Sequence, residues 1–179
     1  MAETIRLHNI IEHSVVNGPG KRFVIWVQGC PLNCKGCFNK ETHDINGGFD
    51  MNIAELAAQI NQTPDIRGIT LSGGEPLLQA EAVGHLLDLI NNHLDILLFS
   101  GYSYDEVKKS PEKMQILRQV DASLLGRYNQ TLPHPFFGKK LVLNGDRIDR
   151  IKKEELKPWL NTEIIIQGDT VQITGLYKK

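Results

Sequence analysis

The chain's three cysteines, Cys30, Cys34 and Cys37, sit in one run, Gly29-Cys30-Pro31-Leu32-Asn33-Cys34-Lys35-Gly36-Cys37-Phe38-Asn39. Three residues separate the first pair and two the second, so a single loop can turn all three sulfurs toward one centre. Three thiolates satisfy three irons of a cubane cluster and leave the fourth iron without a protein ligand, whereas an electron-transfer cluster normally takes four cysteines. An open iron can bind a substrate. Structural zinc is the rival reading, but it asks for four ligands from Cys and His, and the nearest further one is His43, six residues past Cys37. Free cysteine also behaves as a small hydrophobe. Packing explains one such thiol more easily than three set between Gly, Pro and Asn.

A second motif, Ser72-Gly73-Gly74-Glu75-Pro76, follows the apolar run Ile69-Thr70-Leu71. By itself, Gly-Gly after a strand is a turn signal. Glu75 there is also placed to cap the helix that Pro76 begins, where a carboxylate is favoured. The six histidines form no ligand spacing among themselves.

The elements that position these motifs follow from periodicity. Phe23-Val24-Ile25-Trp26-Val27 is continuous, β-branched and aromatic, which suits a parallel strand covered on both faces, and the cysteine loop starts just after it. Ile5 to Val16 reads as extended, and Gly18-Pro19-Gly20 breaks it. Asp44 to Phe49 reads as a loop, after which Asn52 is placed to cap a helix carrying Ile53, Leu56, Ala57 and Ile60 on one face. Ile66 to Leu71 is the next strand, and a helix after Pro76 sets Leu78, Ala82, Leu86, Leu89 and Ile90 along one stripe. Ile96 to Phe99 is a third buried strand, followed by helices from about Tyr104 and from Pro111 to about Gln119. Val120 to Leu125 and Lys140 to Asn144 read as further strands, joined by a loop containing Pro133-His134-Pro135-Phe136-Phe137. Asp149 to Trp159 reads as a charged helix with a solvated face. Glu163 to Ile173 reads as a hairpin with Gly168-Asp169 at its turn.

Strands alternating with helices predict a parallel sheet with right-handed crossovers. About five or six such units are too few for a closed eight-unit barrel. The expected fold is therefore α/β, an open partial (β/α) barrel of about five or six parallel strands with a C-terminal β-hairpin. In such folds chemistry collects at the C-terminal strand ends, where both motifs fall. A chain of 179 residues is expected to form one domain over residues 1–179 and to bury roughly 70% of its unfolded surface. Twenty basic against 21 acidic residues give no field that recruits nucleic acid or a membrane surface. No stretch approaches the roughly 20 apolar residues of a membrane span. An odd number of cysteines in one loop argues against a disulfide framework and predicts a reducing, cytoplasmic compartment.

The C-x3-C-x2-C spacing, with Gly73-Gly74-Glu75 downstream, resembles the signature of the radical S-adenosylmethionine (SAM) enzymes. The runs Asn17-Gly18-Pro19-Gly20-Lys21-Arg22-Phe23, Gln28-Gly29-Cys30-Pro31 and Cys37-Phe38-Asn39 are similar to one branch, the small activases of glycyl-radical enzymes. Phe99-Ser100-Gly101-Tyr102 and Ile173-Thr174-Gly175 extend the likeness over most of residues 17 to 175. The chain departs from that branch where an Asp-Gly-Pro-Phe-like and a Gly-Ser-x-Asn-Gln stretch are usual, carrying Asp121 to Tyr128 and Gly138 to Asn144 instead.

The resemblance implies that Cys30, Cys34 and Cys37 each bind one iron of a [4Fe-4S] cluster and that SAM chelates the open iron. It implies that reductive cleavage of SAM gives a 5'-deoxyadenosyl radical. Gly73, Gly74 and Glu75 then receive the methionyl end of SAM, and Ser100 the ribose. Phe38 shields the cluster or borders the adenine, and Asn39 offers a polar contact. Arg127 either reaches the SAM carboxylate or a substrate backbone, or forms a surface ion pair. The implied partners are a glycyl-radical enzyme of the anaerobic ribonucleotide reductase kind and an electron donor such as flavodoxin or ferredoxin. The alternative is a radical SAM enzyme acting on a small molecule or peptide. Peptide maturases commonly carry auxiliary clusters, for which this chain has no cysteine to spare.

Overall fold

The computed structural model describes residues 2–131, 139–144 and 150–151, and the backbone course of 162–167 and 170–175. Seven strands form one open sheet, with β1 at Thr4–Ser14, β2 at Arg22–Val27, β3 at Phe49–Asn52, β4 at Gly68–Gly73, β5 at Asp95–Ser100, β6 at Ala122–Leu125 and β7 at Lys140–Leu143. Their order across the sheet is β3-β1-β2-β4-β5-β6-β7. The inner four, β2, β4, β5 and β6, are parallel. At one edge β1 runs antiparallel to both β2 and β3, and at the other β7 runs antiparallel to β6.

The expectation of five or six parallel strands is thus corrected to four within a mixed sheet. A parallel pairing needs a crossover, usually a helix, and the described residues between β6 and β7 contain none. The segment read as extended, Ile5 to Val16, forms β1 over Thr4–Ser14 as expected, whereas Phe49, read as the end of a loop, opens β3.

Helices cross between the parallel strands. In α1 (Ile53–Gln62) Asn52 caps the N-terminus, its side chain accepting from the amides of Ala54 and Glu55. Its expected face, Ile53, Leu56, Ala57 and Ile60, is buried. A 3-10 turn at Pro76–Gln79 precedes α2 (Ala80–Leu89). That tighter turn, with three residues per turn instead of 3.6, takes Leu78 off the expected stripe. Leu78 and Leu89 face outward, and Val83 and Leu87 join Ala82, Leu86 and Ile90 in the core. Then come α3 (Tyr104–Val107), closed by a capping box between Ser103 and Glu106, and α4 (Pro111–Gln119). α1 packs on α2 and α2 on α4, so these helices form one layer.

Alternation along β5 divides the core. Ile96 and Leu98 point into the main cluster with the helices, while Leu97 and Phe99 pack with Ala122, Leu141, Leu143 and Ile151 in a second one. The C-terminal segment forms β8 (Thr162–Gln167) and β9 (Thr170–Gly175), an antiparallel pair as expected. The expected turn at Gly168-Asp169, the charged helix beyond Ile151 and the proline-rich loop at 132–138 lie outside the described residues. No helix among the described residues is long and apolar enough to cross a membrane.

Candidate active site

Because β2, β4, β5 and β6 run parallel, their C-terminal ends meet at one edge. Val27 leads into the cysteine loop, Gly73 into Gly74-Glu75, Ser100 into Gly101, and Leu125 into Gly126-Arg127-Tyr128. A cleft that opens to solvent lies between these ends. It is lined by Cys30, Cys34, Cys37, Phe38, Asn39, Gly73, Gly74, Glu75 and Ser100, whereas Arg127 is not among the lining residues. Leu32, His43, Ser72, Phe99, Gly101, Tyr128 and Lys139 complete the lining.

The cysteine loop is held by its backbone. Gly29 N–H donates to Thr42 O (2.8 Å) and Cys30 N–H to His43 O (3.2 Å), tying the loop to the 3-10 turn Lys40–Thr42. Gly36 at φ 76° makes the reversal between Cys34 and Cys37, a left-handed conformation that glycine takes without steric cost. A Cβ on Gly36 would also strike the side chain of Gln130. The three thiols are free and half-buried. Burial pushes the thiols of Cys30 and Cys37 above their ordinary pKa, so each is protonated at neutral pH unless a metal takes the thiolate.

Gly73 and Gly74 have a reason to lack side chains before any ligand arrives. Gly73 has φ 102°, and a Cβ there would meet the Val27 backbone, while one on Gly74 would strike the Gly29 carbonyl. Gly74 N–H donates to Val27 O (2.8 Å) and Glu75 N–H to Gly29 O (2.9 Å), which fastens the second motif to the base of the first. Asn39 Nδ2 donates to Gly73 O at 3.4 Å.

Glu75 is fully buried. Its Oε1 accepts from Leu77 N–H (2.9 Å) and Ser100 Oγ–H (2.8 Å), and its Oε2 from Gly101 N–H (2.7 Å). The helix-capping role is therefore present, and Ser100 is joined to the same carboxylate. Burial raises the Glu75 pKa above the ordinary carboxylate value, against the pull of these three donors and of the Lys139 cation.

Arg127 stands at the rim in an ion pair. Its Nη2 donates to Glu106 Oε1 (2.7 Å) and its Nη1 to Glu106 Oε2 (3.1 Å) and to Gly101 O. These bonds hold the Glu106 carboxyl at about 2, well below its ordinary range. Phe38 meets Tyr128 edge to face, with ring centroids 5.2 Å apart.

The residues present fit an iron-sulfur cluster. The three thiols line one cleft, and a cubane takes three such thiolates on three separate irons.

Residues 16–151 match the 4Fe-4S single cluster domain family. The anaerobic ribonucleoside-triphosphate reductase-activating protein of Enterobacteria phage T4 is 36% identical over 162 residues, covering 86% of this chain and 93% of its own. The protein of that name from Escherichia coli (strain K12) is 33% identical over 138 residues, covering 72% and 88%. The pyruvate formate-lyase-activating enzyme of Clostridium pasteurianum is 32% identical over 127 residues, covering 65% and 53%. The 4Fe-4S family match and the activating-enzyme relatives make this a radical SAM enzyme, with a [4Fe-4S] cluster and SAM as its cofactors, and the three thiols at the end of β2 are in keeping with it. The chain belongs to the 4Fe-4S single cluster domain family, in the branch of activating proteins for glycyl-radical enzymes.

Lys139 was not expected from the sequence. Its position depends on β7 running antiparallel, which sets Lys140 opposite Leu125 at the C-terminal end of β6.

Proposed function

We propose that this chain generates a glycyl radical on a separate polypeptide, an anaerobic ribonucleotide reductase. The observation that carries this reading is the meeting of Cys30, Cys34 and Cys37 with Gly73, Gly74 and Glu75 in one cleft, in a chain 36% identical to an activating protein named for that reductase. Cys30, Cys34 and Cys37 hold the cluster as thiolates. Bound there and reduced by one electron from a donor such as flavodoxin or ferredoxin, the cluster and SAM supply methionine and a 5'-deoxyadenosyl radical.

The protein's own work is binding, orientation and exclusion of water. The Gly73 and Gly74 backbone lets the methionyl end of SAM approach. A carboxylate offers about four acceptor positions. Three of those on Glu75 are taken by Leu77, Ser100 and Gly101, which leaves one for an ammonium. Ser100 borders the ribose, Asn39 gives a polar contact, and Phe38, braced on Tyr128, shields the cluster.

The test is anaerobic incubation with SAM, a reductant and the reductase, followed by electron spin resonance. The expected result is a glycine-centred doublet on the reductase, lost when its acceptor glycine is replaced by alanine. Cys30→Ala, Cys34→Ala and Cys37→Ala are each expected to abolish both iron binding and the doublet. SAM cleavage undiminished in any of the three defeats the ligand assignment.

A further inference from the structure

Lys139 is the part of the cleft that neither sequence motif accounts for. Its Nζ donates to Ser100 O (2.8 Å) and to Gly126 O (2.6 Å), the carbonyls at the ends of β5 and β6. An ammonium has three donors, so these bonds fix the charge in place and leave one N–H over. The side chain lines the same cleft as the three cysteines and Glu75.

Placing a cation there is costly. Burial weakens the hold of Lys139 on its proton, while Glu75, Cys34 and Cys37 work in the opposite direction and Arg127 adds to the cost. Holding two strand-end carbonyls needs only a neutral donor. The other cation nearby, Arg127, is matched by Glu106 through two hydrogen bonds. Glu75, the anion facing Lys139, is committed to three protein donors.

We propose that Lys139 is a positioning residue for charge, a cation fixed beside Cys34 and Cys37 that makes a cluster held by the three cysteines easier to reduce. The sign follows from Coulomb's law, since reduction adds one negative charge and a nearby cation lowers its energy. Cluster potentials are known to respond to net charge and solvent exposure. The inference rests on the assignment of the cysteines as cluster ligands.

The test is a potentiometric titration of the anaerobically reconstituted protein without SAM, read from the spin resonance of the reduced cluster. Lys139→Gln removes the charge while keeping N–H donors for the two carbonyls. Lys139→Arg keeps the charge. At the wild-type midpoint potential, Lys139→Gln is expected to show about a tenfold lower ratio of reduced to oxidised cluster, which for one electron is a shift of about 59 mV to more negative potential. Lys139→Arg is expected to titrate with the wild type. An unchanged midpoint in Lys139→Gln with full iron content overturns the proposal, including the case where only SAM affinity falls, because the ammonium then serves the SAM carboxylate. Equal shifts in both variants, or loss of iron from both, assign Lys139 a purely structural role. Failure of the wild-type protein to take up iron would overturn the cysteine assignment and the Lys139 proposal with it, whereas iron uptake with an unmoved midpoint overturns the Lys139 proposal alone.

Discussion

At the scale of single residues, Glu75 is bound into the protein on three sides, and the proposed function asks it to receive SAM as well. Its three donors come from three segments: Leu77 in the following turn, Ser100 at the end of β5, and Gly101 beyond it. Glutamine has one acceptor oxygen and one donor group. Glu75→Gln must therefore set an N–H2 against an N–H or O–H donor that it cannot satisfy. A buried donor left without a partner costs about 1–3 kcal/mol. We expect Glu75→Gln to lower the unfolding free energy of the cluster-free protein by about that amount in urea, and also to weaken SAM binding. Unchanged stability with weakened SAM binding would make Glu75 a ligand alone, and the reverse pattern would make it structural alone.

At the scale of elements, the end of the sheet opposite the cleft is held by buried charge. Arg22, fully buried at the start of β2, pairs with Asp95 at the start of β5 (2.6 Å), and Arg67 reaches the other Asp95 oxygen (2.7 Å). Arg22 also donates to Thr70 Oγ1 (2.8 Å) and Ile69 O (2.5 Å) on β4, which lies between them. Removing one member of a buried pair strands the other, at about 3–5 kcal/mol. Asp95→Ala should therefore cost about that much in denaturant unfolding, whereas Asp50→Ala, which breaks the exposed pair with Arg6, should cost at most about 1 kcal/mol. Similar losses for the two would remove the buried pair as the tie across the strands. The elements also mark where the sequence was legible. Cysteine spacing, the Asn52 cap and the α1 face are local patterns, and they could be read directly. The direction of β7 depends on a pairing made across the chain, and with it went Lys139. Leu78 was misplaced because it sits in a 3-10 turn and not in the helix, and Leu89 because it lies just outside the face that Ala82, Val83, Leu86 and Leu87 share. Glu75's partners were hidden for the same reason as Lys139, because they meet only once β4 and β5 lie side by side.

At the scale of the whole molecule, the sheet's failure to close bears on what the radical can attack. The strand order ends in β3 on one side and β7 on the other, with no pairing between them. Among the described residues, the cleft at the strand ends is bordered by side chains such as Phe38, which is about half exposed. An enzyme acting on a small molecule has to enclose that molecule to keep water from a reactive intermediate. A macromolecular substrate can supply the missing wall itself by inserting a loop. On the proposed function, the acceptor glycine would give up a hydrogen atom from Cα to the 5' carbon of the adenosyl group, and 5'-deoxyadenosine would be released. A reductase labelled with glycine deuterated at Cα is therefore expected to transfer one deuterium to 5'-deoxyadenosine for each radical formed, as measured by mass spectrometry. Replacing the acceptor glycine with alanine should return the product to unlabelled. Unlabelled 5'-deoxyadenosine from the fully deuterated reductase, formed while a small metabolite is consumed, would transfer the activity to the small-molecule alternative.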